Sequence, residues 1–127
     1  MAAVKIPAYG FVESAAFTAR VHDYFTDDEY AAFQFSLAAD PGAGDVIQGT
    51  GGLRKVRWAD SRRGKGKRSG TRIIYFLIDE DHVIYLLTVF DKDEMTDLDA
   101  REKRILKQLV DAEKQARGAR RNTGRPR

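Results

Sequence analysis

The sequence RIIYFLIDEDHVIYLLTVF, residues 72–90, contains two apolar runs separated by four polar residues. Runs of this length that are rich in β-branched and aromatic residues are typical of strands, and the polar segment 79–82 is typical of a turn between them. The stretch therefore predicts a β-hairpin formed by residues 72–78 and 83–90. Because both runs are almost wholly apolar, we expect this hairpin to form the centre of a sheet.

A third strand is predicted just before the hairpin, at residues 53–58, where the side-chain character alternates with a period of two. Alternation would place Leu53, Lys55 and Arg57 on one face of this strand and Arg54, Val56 and Trp58 on the other. One face of the strand is therefore basic.

Helical patterns lie on both sides of these strands. A short apolar run at Phe11 and Val12 predicts a first strand, and apolar residues at helical spacing predict a helix from about Phe17 to Phe25. The segment 26–29 has the form of a capping box and should begin a second helix that ends near Ala39. A last amphipathic helix is predicted after Leu98. The predicted order is β-α-α-β-β-β-α, an α+β fold with an antiparallel sheet, two N-terminal helices and one C-terminal helix.

The chain has 127 residues, which is enough for one domain, and it contains no cysteine. No apolar run approaches the roughly 20 residues that span a bilayer. We therefore expect a cytoplasmic protein that binds no membrane. We also predict a folded domain at residues 1–116 and a disordered basic tail at residues 117–127, which carries five arginines and no acid.

Positive charge is concentrated in the middle of the chain. Between positions 54 and 72 the local net charge is +8, whereas the whole chain carries +3 and residues 1–53 carry −5. The nine basic residues of this stretch are Arg54, Lys55, Arg57, Arg62, Arg63, Lys65, Lys67, Arg68 and Arg72. A fixed positive field on strands and a glycine-rich loop suits a polyanion, and nucleic acids are the commonest polyanionic partners.

Three segments together resemble the HigB branch of the RelE superfamily of bacterial toxins from toxin–antitoxin pairs. They are GDVIQGTGGLRKVRW at residues 44–58, GKGKRSGTRIIYFL at residues 64–77 and YLLTVFDKDEMTDL at residues 85–98, and the resemblance covers roughly residues 11–113. It implies a small RelE-like domain of the microbial-ribonuclease type. It also implies a type II toxin that enters the ribosomal A site, cleaves mRNA there without a metal and so inhibits translation. The implied partners are ribosomal RNA, mRNA and a cognate antitoxin of the helix-turn-helix type. The resemblance also implies that the protein is a monomer when free, since it has to fit the ribosomal A site.

The resemblance also assigns site residues. It matches Lys55, Arg57, Arg72 and Lys92 to positions of the family's site and Lys65, Lys67 and Arg68 to the basic loop of this branch. The predicted catalytic set is Lys55, Arg57, Lys67, Arg72 and Lys92, and the predicted RNA-binding set is Arg54, Arg62, Arg63, Lys65 and Arg68. Arg54 alternates away from Lys55, so it could equally be a solvated surface residue. Arg72 matches the arginine with which the family stabilises the phosphate in the transition state, a role that suits a permanently charged, forked guanidinium. A lysine can act as a base only when it is unprotonated, and nearby like charges favour that form. Either Lys55 or Lys92 is therefore a candidate base, and Lys65 or Lys67 a candidate acid or phosphate clamp.

Two other functions remain open on the residues alone. A basic strand face with a basic loop could form a non-catalytic RNA- or ribosome-binding surface, since phosphate contacts give affinity without chemistry. The acids Asp91, Asp93 and Glu94 could hold Mg²⁺ for a metal-dependent nuclease, although three acids near a strand end more often form a solvated or capping turn. The glycines lack the spacing of a nucleotide-binding loop, so no cofactor is predicted.

Overall fold

A computed structural model describes residues 9–58, 70–94 and 97–123, with side chains to residue 120. The strands are β1 (Gly10–Glu13), β2 (Asp45–Val46), β3 (Arg54–Trp58), β4 (Thr71–Ile78) and β5 (Val83–Asp91), and the helices are α1 (Ala15–Tyr24), α2 (Asp27–Ala39) and α3 (Ala100–Thr123). The predicted order of strands and helices is confirmed, with one additional two-residue strand, β2, in the glycine-rich connector that precedes β3.

The predicted hairpin lies at the centre of the sheet. Strand order is β1-β5-β4-β3-β2, and β4 pairs antiparallel with β5 from Thr71 opposite Asp91 to Ile78 opposite Val83. A single 3-10 turn, Asp79–Asp81, joins the two strands, and His82 takes a left-handed conformation that ends the turn. The register shifts near Ile74 and Tyr75, where β5 contains one extra residue, as in a β-bulge.

The sheet is mixed, whereas the sequence predicted an antiparallel one. The pairs β2–β3, β3–β4 and β4–β5 are antiparallel, but β1 pairs in parallel with β5, with Gly10 opposite Val83 and Glu13 opposite Leu86. Ser14 fixes this arrangement because its hydroxyl donates to the carbonyl of Leu87 at 2.7 Å and also accepts from the N–H of Phe17, which caps α1. The first strand and the first helix are thus docked on β5 through one buried side chain.

Helices cover both faces of the sheet. The α1 and α2 side chains, led by Phe17 and Phe33, form one core with the alternate β4 and β5 residues that include Ile73 and Tyr75. On the other face, Leu98 and the α3 residues Leu106 and Val110 form a second core. Its sheet-side residues include Leu53, Ile74, Leu87 and Phe90. Because both faces of β4 and β5 are buried, successive side chains in these strands are apolar, which explains the near-continuous apolar runs in their sequence.

The structure places the beginning of α2 at its predicted cap. Thr26 and Glu29 form the predicted capping box of α2, in which each residue's side chain accepts from the other's backbone N–H. Asp99 and Glu102 form the same reciprocal pair at the start of α3. In the described part of the chain, no helix is long and apolar enough to cross a membrane.

The predicted end of the folded domain at residue 116 requires correction. Helix α3 continues to Thr123 and includes residues 117–123 of the predicted disordered tail. Arg117 accounts for the extension, because its guanidinium donates to Glu113 at 2.8 Å and to Asp81 in the hairpin turn at 3.3 Å. This side chain ties the last turns of the helix to the sheet. Residues 124–127 lie outside the described residues.

Candidate nucleic-acid interface

Three of the predicted site cations lie together on one face of the sheet. In the β3–β4 register, Lys55 is opposite Ile74 and Arg57 is opposite Arg72. Residues directly opposite each other on antiparallel strands point to the same side with Cβ atoms about 4.5–5.5 Å apart. Since Ile74 belongs to the core beneath α3, Lys55, Arg57 and Arg72 all project from the face that α3 covers. The predicted alternation of β3 is therefore confirmed.

These cations are available to a ligand. Arg57 is exposed, while Lys55 and Arg72 are half-buried. Neither Lys55 nor Arg57 forms an ion pair with any residue that the structure describes. Cations that approach one another without carboxylate partners make a site with a strong positive potential, which a phosphate group would neutralise.

Lys92 joins this group through the backbone of Gly70. The carbonyl of Gly70 accepts from Arg72 Nη1 at 2.7 Å and from the backbone N–H of Lys92 at 3.2 Å. Gly70 is buried at the start of β4, and Lys92 is exposed just after β5. Arg72 and Lys92, which are 20 positions apart in the chain, are thereby held on either side of one carbonyl group.

A cluster of Arg20, Tyr24 and Glu94 supports the turn that carries Lys92. Glu94 accepts from the backbone N–H of Asp91 at 2.8 Å, from Arg20 Nη2 at 2.9 Å and from the hydroxyl of Tyr24. The Asp91 N–H, followed by the Tyr24 hydroxyl, lowers the pKa of Glu94. Burial, followed by the hydrogen bond to Glu94, raises the pKa of Tyr24 to about 12. The Glu94 cluster therefore attaches the turn after β5 to α1.

Arg54 does not belong to this surface. It lies on the other face of β3, opposite Tyr75, and its Nη1 donates to the carbonyls of Gly42 at 3.2 Å and Gly44 at 2.7 Å. These bonds give the arginine a role in holding the connector before β3, and its RNA contact stays a prediction. The remaining predicted cations, Arg62, Arg63, Lys65, Lys67 and Arg68, lie outside the described residues.

Two of the three acids at the end of β5, Asp91 and Glu94, form contacts within the protein. Glu94 belongs to the cluster above, and Asp91 Oδ1 accepts from the hydroxyl of Thr71 at 3.2 Å. Within residues 9–58, 70–94 and 97–123, no group of three or more histidines and acids is placed to hold a metal ion. These contacts are typical of a capped turn, which is the structural alternative that the sequence offered for Asp91, Asp93 and Glu94.

Sequence reasoning missed Gly70, Arg20, Tyr24 and Glu94 as parts of the site. Gly70 does carry a signal, because it immediately precedes β4, whose second residue is the predicted site residue Arg72. For Arg20 and Tyr24 the sequence holds no such signal, since they contact Glu94 across 74 and 70 positions of the chain.

These features define a class of protein. It is an α+β domain with helices on both faces of a five-stranded sheet and a basic patch on one of those faces. No known protein-family profile matches the sequence. Solved structures do match: an arginine-to-alanine double mutant of the E. coli toxin RelE in the free state has a TM-score of 0.53 and 15% identity, over 70% of this chain and 88% of that one. The isolated E. coli RelE toxin has a TM-score of 0.50 and 16% identity, over 80% of this chain and 99% of that one. The predicted RelE-like fold is thus confirmed.

Proposed function

We propose that this protein is the toxin of a type II toxin–antitoxin system, a ribosome-dependent endoribonuclease that cleaves mRNA in the A site. The observation that carries the proposal is the convergence of Lys55, Arg57, Arg72 and Lys92 on one region of a RelE-like fold. The HigB-like sequence segments support assignment to that branch of the superfamily. The proposed location is the cytoplasm, where ribosomes and message are found.

The proposed reaction needs no group from outside the RNA and the protein. The 2′-hydroxyl of the RNA loses its proton to a base and attacks the adjacent phosphorus, and the bond from phosphorus to the 5′-oxygen breaks. The leaving 5′-oxygen takes a proton, so the products are a 2′,3′-cyclic phosphate and a 5′-hydroxyl. Negative charge grows on the phosphate oxygens in the transition state, and fixed cations stabilise it there.

Each described cation has a proposed role in this reaction. Arg72 stabilises the phosphate in the transition state, because its guanidinium is forked and already held in place by Gly70. Arg57, directly opposite, contributes a second positive charge. Lys55 and Lys92 are the alternative bases. Among the residues outside the described ranges, Lys67 is the proposed acid, and Arg62, Arg63, Lys65 and Arg68 are proposed contacts to RNA.

The proposed partners follow from the same surface. A positive patch of this kind would bind the phosphates of both ribosomal RNA and message. A cognate antitoxin of the helix-turn-helix type would neutralise the toxin by blocking the patch or its access to the ribosome.

Induction of the full chain in growing bacteria, with the cleavage ends of ribosome-bound message mapped, tests the proposal. We expect growth arrest and new 5′-hydroxyl ends, and we expect Arg72→Ala to abolish both. Arg101→Ala is the matched control, because Arg101 is an exposed cation on α3 that contacts no other described residue. It should arrest growth as the wild type does.

The outcomes separate the alternatives. Growth arrest with every message intact would overturn the nuclease and favour a non-catalytic ribosome-binding protein. Cleavage of free RNA that requires added Mg²⁺ would favour a metal-dependent nuclease. An Arg72→Ala variant that cleaves ribosome-bound message at the wild-type rate would remove Arg72 from the proposed mechanism.

A further inference from the structure

The space around Gly70 is already filled by the side chains of the proposed site. A methyl group at this position would overlap Arg72 Nη1, and it would also lie 3.2 Å from Arg72 Cζ and 3.5 Å from Lys92 Cδ. The absence of a side chain at Gly70 therefore leaves room for the guanidinium of Arg72.

The carbonyl of Gly70 defines where that guanidinium lies. Arg72 Nη1 donates to it at 2.7 Å, and the backbone N–H of Lys92 donates to the same oxygen at 3.2 Å. A carbonyl oxygen has two lone pairs, so both bonds can form at once. One residue thus provides the space and the acceptor for Arg72 and also fixes the chain at Lys92.

We propose that Gly70 is a positioning residue of the active site, which holds the guanidinium of Arg72 in the orientation that binds the reacting phosphate and sets its separation from Lys92. This proposal rests on the proposed function, since it assigns Gly70 a role through Arg72. Catalysis by fixed charges depends on their placement, and a displacement of about 1 Å can lower a rate on the order of 100-fold.

Gly70→Ala is the direct test. The atom that the new methyl group would meet is the far end of a flexible side chain, so the guanidinium should move and the fold should persist. In single-turnover cleavage of ribosome-bound message, we expect the maximal rate to fall on the order of 100-fold with the half-saturating concentration changed by less than about twofold. Gly10→Ala is the matched control, because a methyl group there meets no atom within 4 Å, and it should cleave at the wild-type rate.

A double-mutant cycle distinguishes positioning from a general structural effect. Arg72→Lys keeps the charge and removes the guanidinium that the methyl group would displace. If Gly70 acts through Arg72, then Gly70→Ala should cause no further loss of rate in the Arg72→Lys background. Equal losses in the two backgrounds would overturn the proposal.

NMR of the wild-type protein provides a measurement that needs no folded Gly70 variant. The Arg72 guanidinium resonances, assigned by their loss in Arg72→Lys, should show slowed rotation because Nη1 is bonded to the Gly70 carbonyl. Free rotation would overturn the proposal.

If Arg72→Ala is inactive but Gly70→Ala cleaves at the wild-type rate, the positioning role fails and the proposed function stands. If Arg72→Ala itself retains wild-type cleavage, the proposed role of Arg72 fails.

Discussion

Arg57 and Arg72 lie directly opposite each other on β3 and β4, so two permanent positive charges share one cross-strand position on the same face of the sheet. Like charges at such a position destabilise the pairing of the strands. The fold nevertheless keeps them together, with Lys55 two residues away on the same face. Such an arrangement is expected where a site has to bind an anion and accepts lower stability in exchange.

Removal of one of these charges should stabilise the free protein. We expect Arg57→Thr to raise the free energy of unfolding by roughly 0.2–1 kcal/mol at low ionic strength, because the repulsion is lost and threonine suits a strand. The gain should shrink as salt is added, since salt screens exposed charges. Denaturant unfolding at two salt concentrations measures it. Lys55→Thr is the control, as Lys55 faces Ile74, and a similar gain there would contradict this explanation.

The two neighbouring cations Arg54 and Lys55 should behave differently toward RNA. Lys55→Gln should weaken binding to a single-stranded polyuridine oligonucleotide and reduce the slope of log affinity against log salt by about 0.7, the value for one lost phosphate contact. Arg54→Gln should leave the slope unchanged, because Arg54 lies on the opposite face and binds the carbonyls of Gly42 and Gly44. Equal changes in slope for the two variants would show that the strand face does not determine binding.

The Glu94 cluster predicts a specific acid dependence of stability. The folded-state pKa of Glu94 lies below its ordinary value of 4.5, so its contribution to stability is present above pH 4.5 and is lost as the pH falls toward the folded-state pKa. Glu94→Gln should lower the melting temperature at neutral pH, and the difference from wild type should narrow below pH 4.5. Asp93→Asn is the control, because Asp93 is exposed and contacts no other described residue. A constant difference across the acid range would contradict the assignment to Glu94 ionisation.

Tyr75 should be important for the connector before β3. Its ring is fully buried, and its hydroxyl donates to the Pro41 carbonyl at 2.7 Å and accepts from the Gly44 N–H at 2.9 Å. Tyr75→Phe leaves both backbone groups unpaired and should cost about 1–3 kcal/mol in denaturant unfolding. Tyr85→Phe, on the neighbouring strand, removes a hydroxyl that bonds to no described residue, and it should cost less. Equal costs would show that the hydroxyl of Tyr75 does not hold the connector.

Local patterns were sufficient for most of the fold. The period of two in residues 53–58 placed Lys55 and Arg57 on the face of Leu53, and the capping box at Thr26 located the start of α2 to the residue. Both patterns depend on neighbours in the chain. The parallel pairing of β1 was not predicted, because it depends on which edge of β5 is free, and that is decided only when the whole sheet is assembled.

The sequence predicted which charged residues form the proposed site, but it did not predict how their side chains are oriented. Sequence could place Arg72 at the start of a strand, but it could not show that the guanidinium turns back to the carbonyl of Gly70. Arg54 shows that a charge alone does not tell which group the side chain contacts. Its charge is the same as that of Arg57, yet the irregular connector offers it two carbonyl acceptors, and such contacts leave no periodic pattern in a sequence.

The parallel pairing of β1 with β5 also has a consequence for the order of folding. Gly10 pairs with Val83, so the first strand has no partner in the sheet until the distant hairpin strand has formed. The β3, β4 and β5 strands, by contrast, pair with neighbours in the chain and close shorter loops. We therefore expect docking of β1 and α1 on the sheet to be a late step, and during synthesis the α1 side chains lack their β5 partners until β5 has been made. The strands that carry Lys55, Arg57 and Arg72 can therefore pair with each other before β1 pairs with β5.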